Sequence, residues 1–339
     1  MGLGNVFFTA ANAVLPILLL IAIGYVLKNI GWLSKDFVKT GNKLVFNIFL
    51  PVMLFVNVYN IEGLASIQWD VVIYACLVIC LLFGIGYVVA VLSTKVPERR
   101  GVLMQSVYRS NYAIIGLPLA GALGGAQALA VTSILSAFAI PFFTLFSVIS
   151  LTMFLNGQKQ GKKGLLKEIF LNPMLVAVAI GLVALGIRQF QNSVFGKVVF
   201  SLSHHTKFLY TVLNNISSLT SPFALIMMGA QFEFSAVKSM FKEILAGTLG
   251  RIVLAPIIGI GLAFVLTKAG ILSCGPNEYP ALIALFGSPM AVSGAVMAIQ
   301  MKNDEQLSTQ LVVWPSLFSI LTIFLTVCIL MPAGLLVVS

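Results

Sequence analysis

Charge is scarce in this chain: Asp, Glu, Lys and Arg together make up 9% of 339 residues, where a soluble domain carries about a quarter. So little charge cannot cover a water-facing surface of this size, which excludes a soluble globular protein. Acids are rarer still. All ten (Asp36, Glu62, Asp70, Glu98, Glu168, Glu233, Glu243, Glu278, Asp304 and Glu305) fall in loops or at the ends of apolar runs, so no carboxylate stands at membrane depth to relay protons or hold a cation. The two histidines, His204 and His205, are adjacent in a predicted loop with no neighbouring Cys or acid, a poor metal site. The four cysteines give neither a disulfide framework nor a ligand spacing: Cys76 and Cys80 lie one helical turn apart in one run, Cys328 is in another and Cys274 is alone in a loop. Paired acids, a His–Glu motif and a Ser–His constellation are all missing from the apolar runs. Enzyme chemistry therefore has no residues to perform it, and neither a metal nor a cofactor is expected.

What the chain has is apolar length. Hydrophobic residues make up 59% and mean hydropathy is +1.05, so most of the chain is solvated by lipid. Runs of about 20 residues, enough for a helix to cross roughly 30 Å of hydrocarbon, can be laid out ten times: 9–29, 38–59, 68–93, 102–123, 127–155, 169–188, 209–232, 244–269, 279–300 and 306–335. The first run has no basic residue before it and no small-residue cleavage site, and reads as a retained helix rather than a signal peptide. The net charge of +10 does not mark a nucleic-acid partner, because the basic residues are scattered between the spans. They report topology instead. One set of loops holds 14 Lys and Arg, the other holds 4 (Arg188, Lys197, Lys207 and Lys268), and Arg109 and Arg251 fall inside spans. The positive-inside rule then puts both termini outside and the loop at 156–168 in the cytoplasm.

The prolines repeat in order. Pro16, Pro51, Pro118 and Pro141 match Pro173, Pro222, Pro289 and Pro315 at offsets of 157, 171, 171 and 174, and Gly24 and Gly181 each follow the first pair by eight residues. The chain divides accordingly into a first five-helix repeat at 1–155, a linker at 156–168 and a second repeat at 169–339. Five spans per half is an odd number, so the halves must be inverted relative to one another.

Spans 4 and 9 each carry a Gly-x-Pro break in mid-membrane: Gly116-Leu117-Pro118 and Gly287-Ser288-Pro289. Irregular backbone survives at that depth only where it lines a cavity, and paired interrupted helices in corresponding halves point to a transporter's binding site. Proline at the first position of a half-helix costs no hydrogen bond, so new half-helices are expected to open after Pro118 and Pro289 with their amides facing the break. Each such end carries roughly half a positive charge, and two converging ends suit a carboxylate. Asn111 and Tyr112 before the first break, and Ser288 and Ser293 around the second, are candidate ligands; the alternative is that they only cap backbone opened by the prolines.

A resemblance now enters on the motifs. Leu15-Pro16-Ile17, Gly24-Tyr25 and Gly31-Trp32-Leu33-Ser34 lead into Asn42-Lys43-Leu44-Val45-Phe46-Asn47-Ile48-Phe49-Leu50-Pro51; Asn111, Gly116-Leu117-Pro118-Leu119, Asn172-Pro173, Pro222 to Gly229 and Pro256 follow. In that order they resemble the auxin efflux carrier family, which includes plant auxin exporters and bacterial malate and malonate permeases. The resemblance implies an all-α membrane fold of ten helices in two inverted repeats, with helices 1, 2, 6 and 7 as a scaffold. The other helices would form a moving transport domain in which broken helices 4 and 9 cross at their prolines. It further implies organic anions as substrates, an elevator-like motion and a homodimer formed through the scaffold.

Two arginines lie too deep for loops. Arg109 is nine residues past Arg100; it is either the fixed charge that draws a dicarboxylate to the crossing or a side chain that snorkels to the headgroups. Arg251, nine residues past Lys242, is expected to snorkel, since nothing in the sequence sets span 8 beside the break. Asn42, Asn47 and Asn57 in span 2, and Asn214, Asn215, Ser217, Ser218, Thr220 and Ser221 in span 7, are too polar for lipid-facing surfaces. They either face the cavity, as is expected of Asn47 and Asn215, or bond between helices. The expectation is a secondary carrier of small organic anions in the plasma membrane, a malate-like dicarboxylate favoured, with the lipid bilayer as its other partner. An auxin-like aromatic monocarboxylate exporter and an anion channel are the alternatives. Uniport, anion exchange and co-transport of a proton on the substrate stay open.

Overall fold

The computed structural model describes residues 3–60, 68–155 and 172–336. The predicted linker at 156–168, Glu62 and Glu168 lie outside the described residues. Every regular element among those described is helical: α1 (Leu3–Asn29), α2 (Lys35–Leu44), α3 (Leu50–Tyr59), α4 (Trp69–Ser93), α5 (Pro97–Tyr108), α6 (Leu117–Met153), α7 (Pro173–Phe195), α8 (Leu202–His205), α9 (Lys207–Gln231), α10 (Ser235–Ser239), α11 (Phe241–Leu249), α12 (Ala255–Lys268), α13 (Glu278–Gly287), α14 (Val292–Gln300) and α15 (Glu305–Leu330). Starts follow local chemistry. Ser34, Asn172 and Asp304 accept the Phe37, Met174 and Leu307 amides as N-caps, and Asp36, Asp70, Glu98, Glu243, Glu278 and Glu305 sit in first turns. The acids thus pair with the positive ends of helix dipoles, which is why they lie at the edges of apolar runs.

Among the described residues, six stretches are long and apolar enough to cross a membrane: Lys35–Tyr59, Trp69–Ser93, Tyr112–Met153, Pro173–Phe195, Phe241–Lys268 and Glu305–Leu330. The chain is thus multi-pass, and large apolar side chains such as Leu77, Val183, Ile257 and Ile329 are exposed on it as lipid-facing surface. The predicted run at 102–123 and that at 279–300 do not appear as single helices because each is interrupted.

Among the described residues three π-helical turns, Val45–Phe49, Tyr112–Gly116 and Gly250–Leu254, join α2 to α3, lead into α6 and join α11 to α12. Each ends two residues before a proline: Pro51, Pro118 and Pro256. A π turn shifts its bonds by one residue, as in the Gly116 amide donating to the Asn111 carbonyl and the Leu117 amide to that of Tyr112. That widening accommodates a ring with no N–H to give, so the helix continues through the proline. This corrects the first predicted break. Pro118 lies in a helix already under way and is exposed, while the interruption falls upstream at Arg109–Asn111, where Arg109 is extended (φ −84°, ψ 100°). The second break contains its proline as expected: α13 ends at Gly287, Ser288 is extended and α14 begins at Val292. A further kink at Gly125 (φ 67°, ψ −158°) divides α6 close to the predicted boundary between spans 4 and 5.

Two sets of helices pack together. In one, α1 runs along α9, and α3 packs on both α7 and α9. Glycines set the first contact: a Cβ on Gly24 would overlap the Ile226 carbonyl, and one on Gly229 would overlap that of Ile21, so the backbones touch reciprocally. In the other set α4, α5 and α6 pack with one another and with α11 to α15. This second set holds both breaks.

Candidate functional site

The two interruptions meet. Ser110 and Met290 form an antiparallel bridge, with the Asn111 amide donating to the Pro289 carbonyl (2.8 Å) and the Ala291 amide to that of Arg109 (3.2 Å). Each break satisfies the other's backbone, as the absence of water at this depth demands. Four helix ends converge here: the C-termini of α5 and α13, and the N-termini of the Tyr112–Gly116 turn and of α14. The starting ends are capped by no side chain. Their first-turn amides, those of Tyr112, Ala113, Val292 and Ser293, have no acceptor within their own helix.

Arg109 lies beside those positive ends and is 2% exposed. It donates from Nη1 to Met297 Sδ (2.9 Å) and from Nη2 to Ser293 Oγ (3.0 Å). Gly294 makes room for it: a Cβ there would come within 3.0 Å of Arg109 Cδ and of Gln105 Oε1. Gln105 Nε2 donates to the Gly294 carbonyl (3.0 Å), fixing α5 to α14 at this level. Among the described residues the ion pairs are those of Arg99 with Glu243 and Asp304, so Arg109 faces no carboxylate. A cavity of about 30 Å³ opens here, lined by Arg109, Ser110, Asn111, Tyr112 and Ser293 on the crossing side and by Met53 and Asn57 of α3 on the other. The Ser110 and Ser288 hydroxyls and the Tyr112 phenol are buried without partners.

Of the sequence candidates, Arg109, Asn111, Tyr112, Ser288, Pro289 and Ser293 gather at the crossing. Gly116 lies one turn beyond, where a Cβ would stand 3.3 Å from the Ala284 carbonyl, so it serves the packing of the first broken span on α13. Pro118 is further out and exposed. Asn47 is exposed and donates to the Lys43 carbonyl of its own helix (2.8 Å), and Asn215 is exposed on α9, so neither reaches the cavity. Asn57 supplies the polar group on that wall.

Arg251 overturns the expectation of snorkelling. It is fully buried and donates to four backbone carbonyls: from Nε to Ser288 (2.8 Å), from Nη1 to Val107 (3.0 Å) and from Nη2 to Leu285 (3.1 Å) and Phe286 (2.7 Å). All four belong to the C-terminal ends of α5 and α13 or the residue just beyond. A buried guanidinium costs several kcal/mol in lost hydration, and charge-assisted bonds of about 1.5–3 kcal/mol each, at two negative helix ends, offset it. The π turn Gly250–Leu254 carries the side chain into this position.

Comparison with known proteins gives the family. The family described as membrane transport protein matches residues 9–327. An uncharacterized transporter of Methanothermobacter thermautotrophicus is 23% identical over 328 residues, covering 94% of this chain and 97% of the relative. One of Methanocaldococcus jannaschii is 25% identical over 325 residues, covering 93% and 96%. The chain belongs to the membrane transport protein family, the auxin efflux carrier family its motifs resemble.

In this family member a second, larger cavity of about 610 Å³ opens between the two helix sets, lined by Lys28, Lys35, Lys39 and Lys43 together with Glu233, Asp304 and Glu305. Gln300, at the far end of α14 from the crossing, lines it too, so a nine-residue helix separates the mouth from the site. Ser110, Gln105, Gly294 and Met297 carry no signal in the sequence, since each is ordinary in a transmembrane helix. For Arg251 a signal existed: a second deep arginine three residues ahead of the Leu254-Ala255-Pro256 stretch, with no acid nearby.

Proposed function

We propose that this chain is a secondary carrier of small organic anions, a malate-like dicarboxylate favoured, working in the plasma membrane by an elevator-type alternating-access motion. The observation that carries the reading is Arg109, a guanidinium buried beside two converging helix N-termini and held by a thioether and a hydroxyl. An uncompensated cation is costly in such surroundings, and an anion lowers that cost. One carboxylate of the substrate accepts from the first-turn amides and Ser110, and a second accepts from Arg109 and Ser293. At the mouth four lysines outnumber three acids, and Asp304 is already paired with Arg99, so the balance favours anions on the side read as cytoplasmic.

Ten crossings in two inverted repeats, 1–155 and 169–339, account for the packing. Inversion makes helix 1 on helix 7 equivalent to helix 6 on helix 2. Gly24 faces the Ile226 backbone in the first pair and Gly181 faces the Val58 side chain in the second, so each of the two glycines matched in sequence lies on the pairing that inversion would make equivalent, which supports the reading. The α4–α5 contact has its counterpart in α12–α13. Helices 1, 2, 6 and 7 form the scaffold, and the resemblance adds a homodimer through them with both termini outside. A cavity of about 30 Å³ holds one or two waters. Admitting substrate requires α3, with Met53 and Asn57, to move apart from the crossing, which is the displacement an elevator supplies.

Reconstituted vesicles test this. Uptake of labelled dicarboxylate that saturates and speeds up with unlabelled substrate inside is the expected result. Preference for aromatic monocarboxylates would shift the substrate class to auxin-like compounds, and flux that never saturates would replace the carrier with a channel.

A further inference from the structure

Unwound carbonyls and half-helix C-termini are where carriers with broken helices coordinate a mobile cation. Here the C-termini of α5 and α13 converge in the same way, and Val107, Leu285, Phe286 and Ser288 turn their carbonyls on one point. The point is filled by Arg251, whose side chain has no exposed surface. We propose that Arg251 is a tethered resident cation: it occupies a cation site built from the carbonyl ends of both broken helices, in place of a mobile ion, and thereby positions the crossing for transport.

Three features support a cation site rather than generic packing. The acceptors come from both halves of the chain, so the guanidinium joins the two broken spans where they cross. All four are backbone carbonyls at or just past helix ends, which carry partial negative charge. No carboxylate is among them, so the side chain answers dipoles and not a counter-ion. Arg109 stands on the starting ends of the second half-helices, where the potential is positive. The two arginines therefore differ in kind: the first adds to a positive site that suits an anion, the second cancels a negative one.

A tethered cation that is cut away leaves its site open. The test is thermal unfolding of the full-length protein in detergent, wild type and Arg251→Ala, in guanidinium chloride at tens of millimolar against N-methylglucamine chloride at equal ionic strength. The variant is expected to unfold at a clearly lower temperature and to regain a substantial part of the loss in guanidinium alone, while the wild type shows no such gain. An Arg251→Ala protein that responds to guanidinium no more than the wild type does overturns the proposal. If Arg251→Ala gives no folded protein, Arg251→Lys and Arg251→Met decide, being similar in length but different in charge. Lysine is expected to restore folded protein and methionine not; equal recovery, or equal failure, overturns the resident-cation role. None of these readouts needs a substrate, so the outcome is independent of whether dicarboxylates are carried.

Discussion

The backbone amide of Asn111 donates to the carbonyl of Pro289 at 2.8 Å, tying the middle of one broken span to the middle of the other. The return bond, from Ala291 to Arg109 at 3.2 Å, makes the tie reciprocal. Pro289 suits its place because it is asked only to accept. The crossing is therefore a piece of two-stranded pairing held inside a helical membrane protein, and its starting amides remain for a ligand.

Arg109→Gln is expected to raise the apparent KM for a dicarboxylate by about ten- to a hundredfold, the equivalent of one charge-assisted bond. Its effect on monocarboxylates is expected to be smaller, so preference for the doubly charged substrate falls. The ligand-free variant should be at least as heat-stable as the wild type, because an unbalanced buried charge has been removed. Uptake assays with paired mono- and dicarboxylates check the first outcome and thermal unfolding checks the second; unchanged preference would remove Arg109 from the site.

Two substitutions separate the real break from the apparent one. Pro118→Ala, at an exposed position in continuous helix, should leave uptake within about twofold of wild type, since replacing a proline that a π turn already accommodates strains nothing. Gly294→Val pushes into Arg109 and Gln105, whose atoms already lie 3.0 Å from where a single Cβ would be. Its uptake should fall at least about tenfold, as misplacement of a binding group does, with normal yield and monodispersity on size exclusion. Reversal of the two effects would return the site to the Gly-x-Pro motif.

The α1–α9 contact should be intolerant of one added methyl. Gly24→Ala and Gly229→Ala each set a Cβ against a backbone carbonyl, and overpacking of that kind costs about 1–3 kcal/mol. Gly186→Ala, whose Cβ meets nothing within 4 Å, should be neutral or up to about 1 kcal/mol stabilising through helix propensity. Unfolding curves of the three variants give the comparison directly; three equal midpoints would show that the close approach does not matter.

Arg99 pairs with Glu243 (3.0 Å) and Asp304 (2.9 Å), with side chains 12–22% exposed. It links the starts of α5, α11 and α15 at one end of the second set of helices. Arg99→Gln is expected to cost about 1–2 kcal/mol at low salt, as two partly screened pairs would. The deficit should shrink in 1 M salt, where the Debye length is about 3 Å. A salt-independent loss would assign the effect to packing instead.

Much of the fold was legible because composition and periodicity are properties of the chain alone. Apolar run length fixed where helices lie, and acids marked helix starts because only the ends offer them water and a favourable dipole. The broken spans were legible too, but the break in the first was misplaced by several residues. Pro118 looks like an interruption from its ring chemistry, and a π turn upstream absorbs it. Nothing in a local sequence window distinguishes a proline that breaks a helix from one that a widened turn carries.

Asn47 and Asn57 show the same limit from the polar side. Both are asparagines in one predicted span, yet Asn47 folds back on the Lys43 carbonyl while Asn57 reaches the cavity wall. Their difference is the rotation of a helix about its axis, which neighbouring helices set.

The sequence by itself determined that this protein lives in lipid, where its apolar runs begin and end, and that two of them fail near the middle, since each follows from side-chain transfer energies and backbone bonding along the chain. Only the tertiary structure decided which residues those failures bring together. Arg109 and Arg251 are the same residue type at the same apparent depth, nine positions past a basic residue in each case. One meets helix N-termini and the other helix C-termini, and the sign of the potential around a side chain is a property of how distant backbone dipoles are aimed, which no stretch of sequence carries.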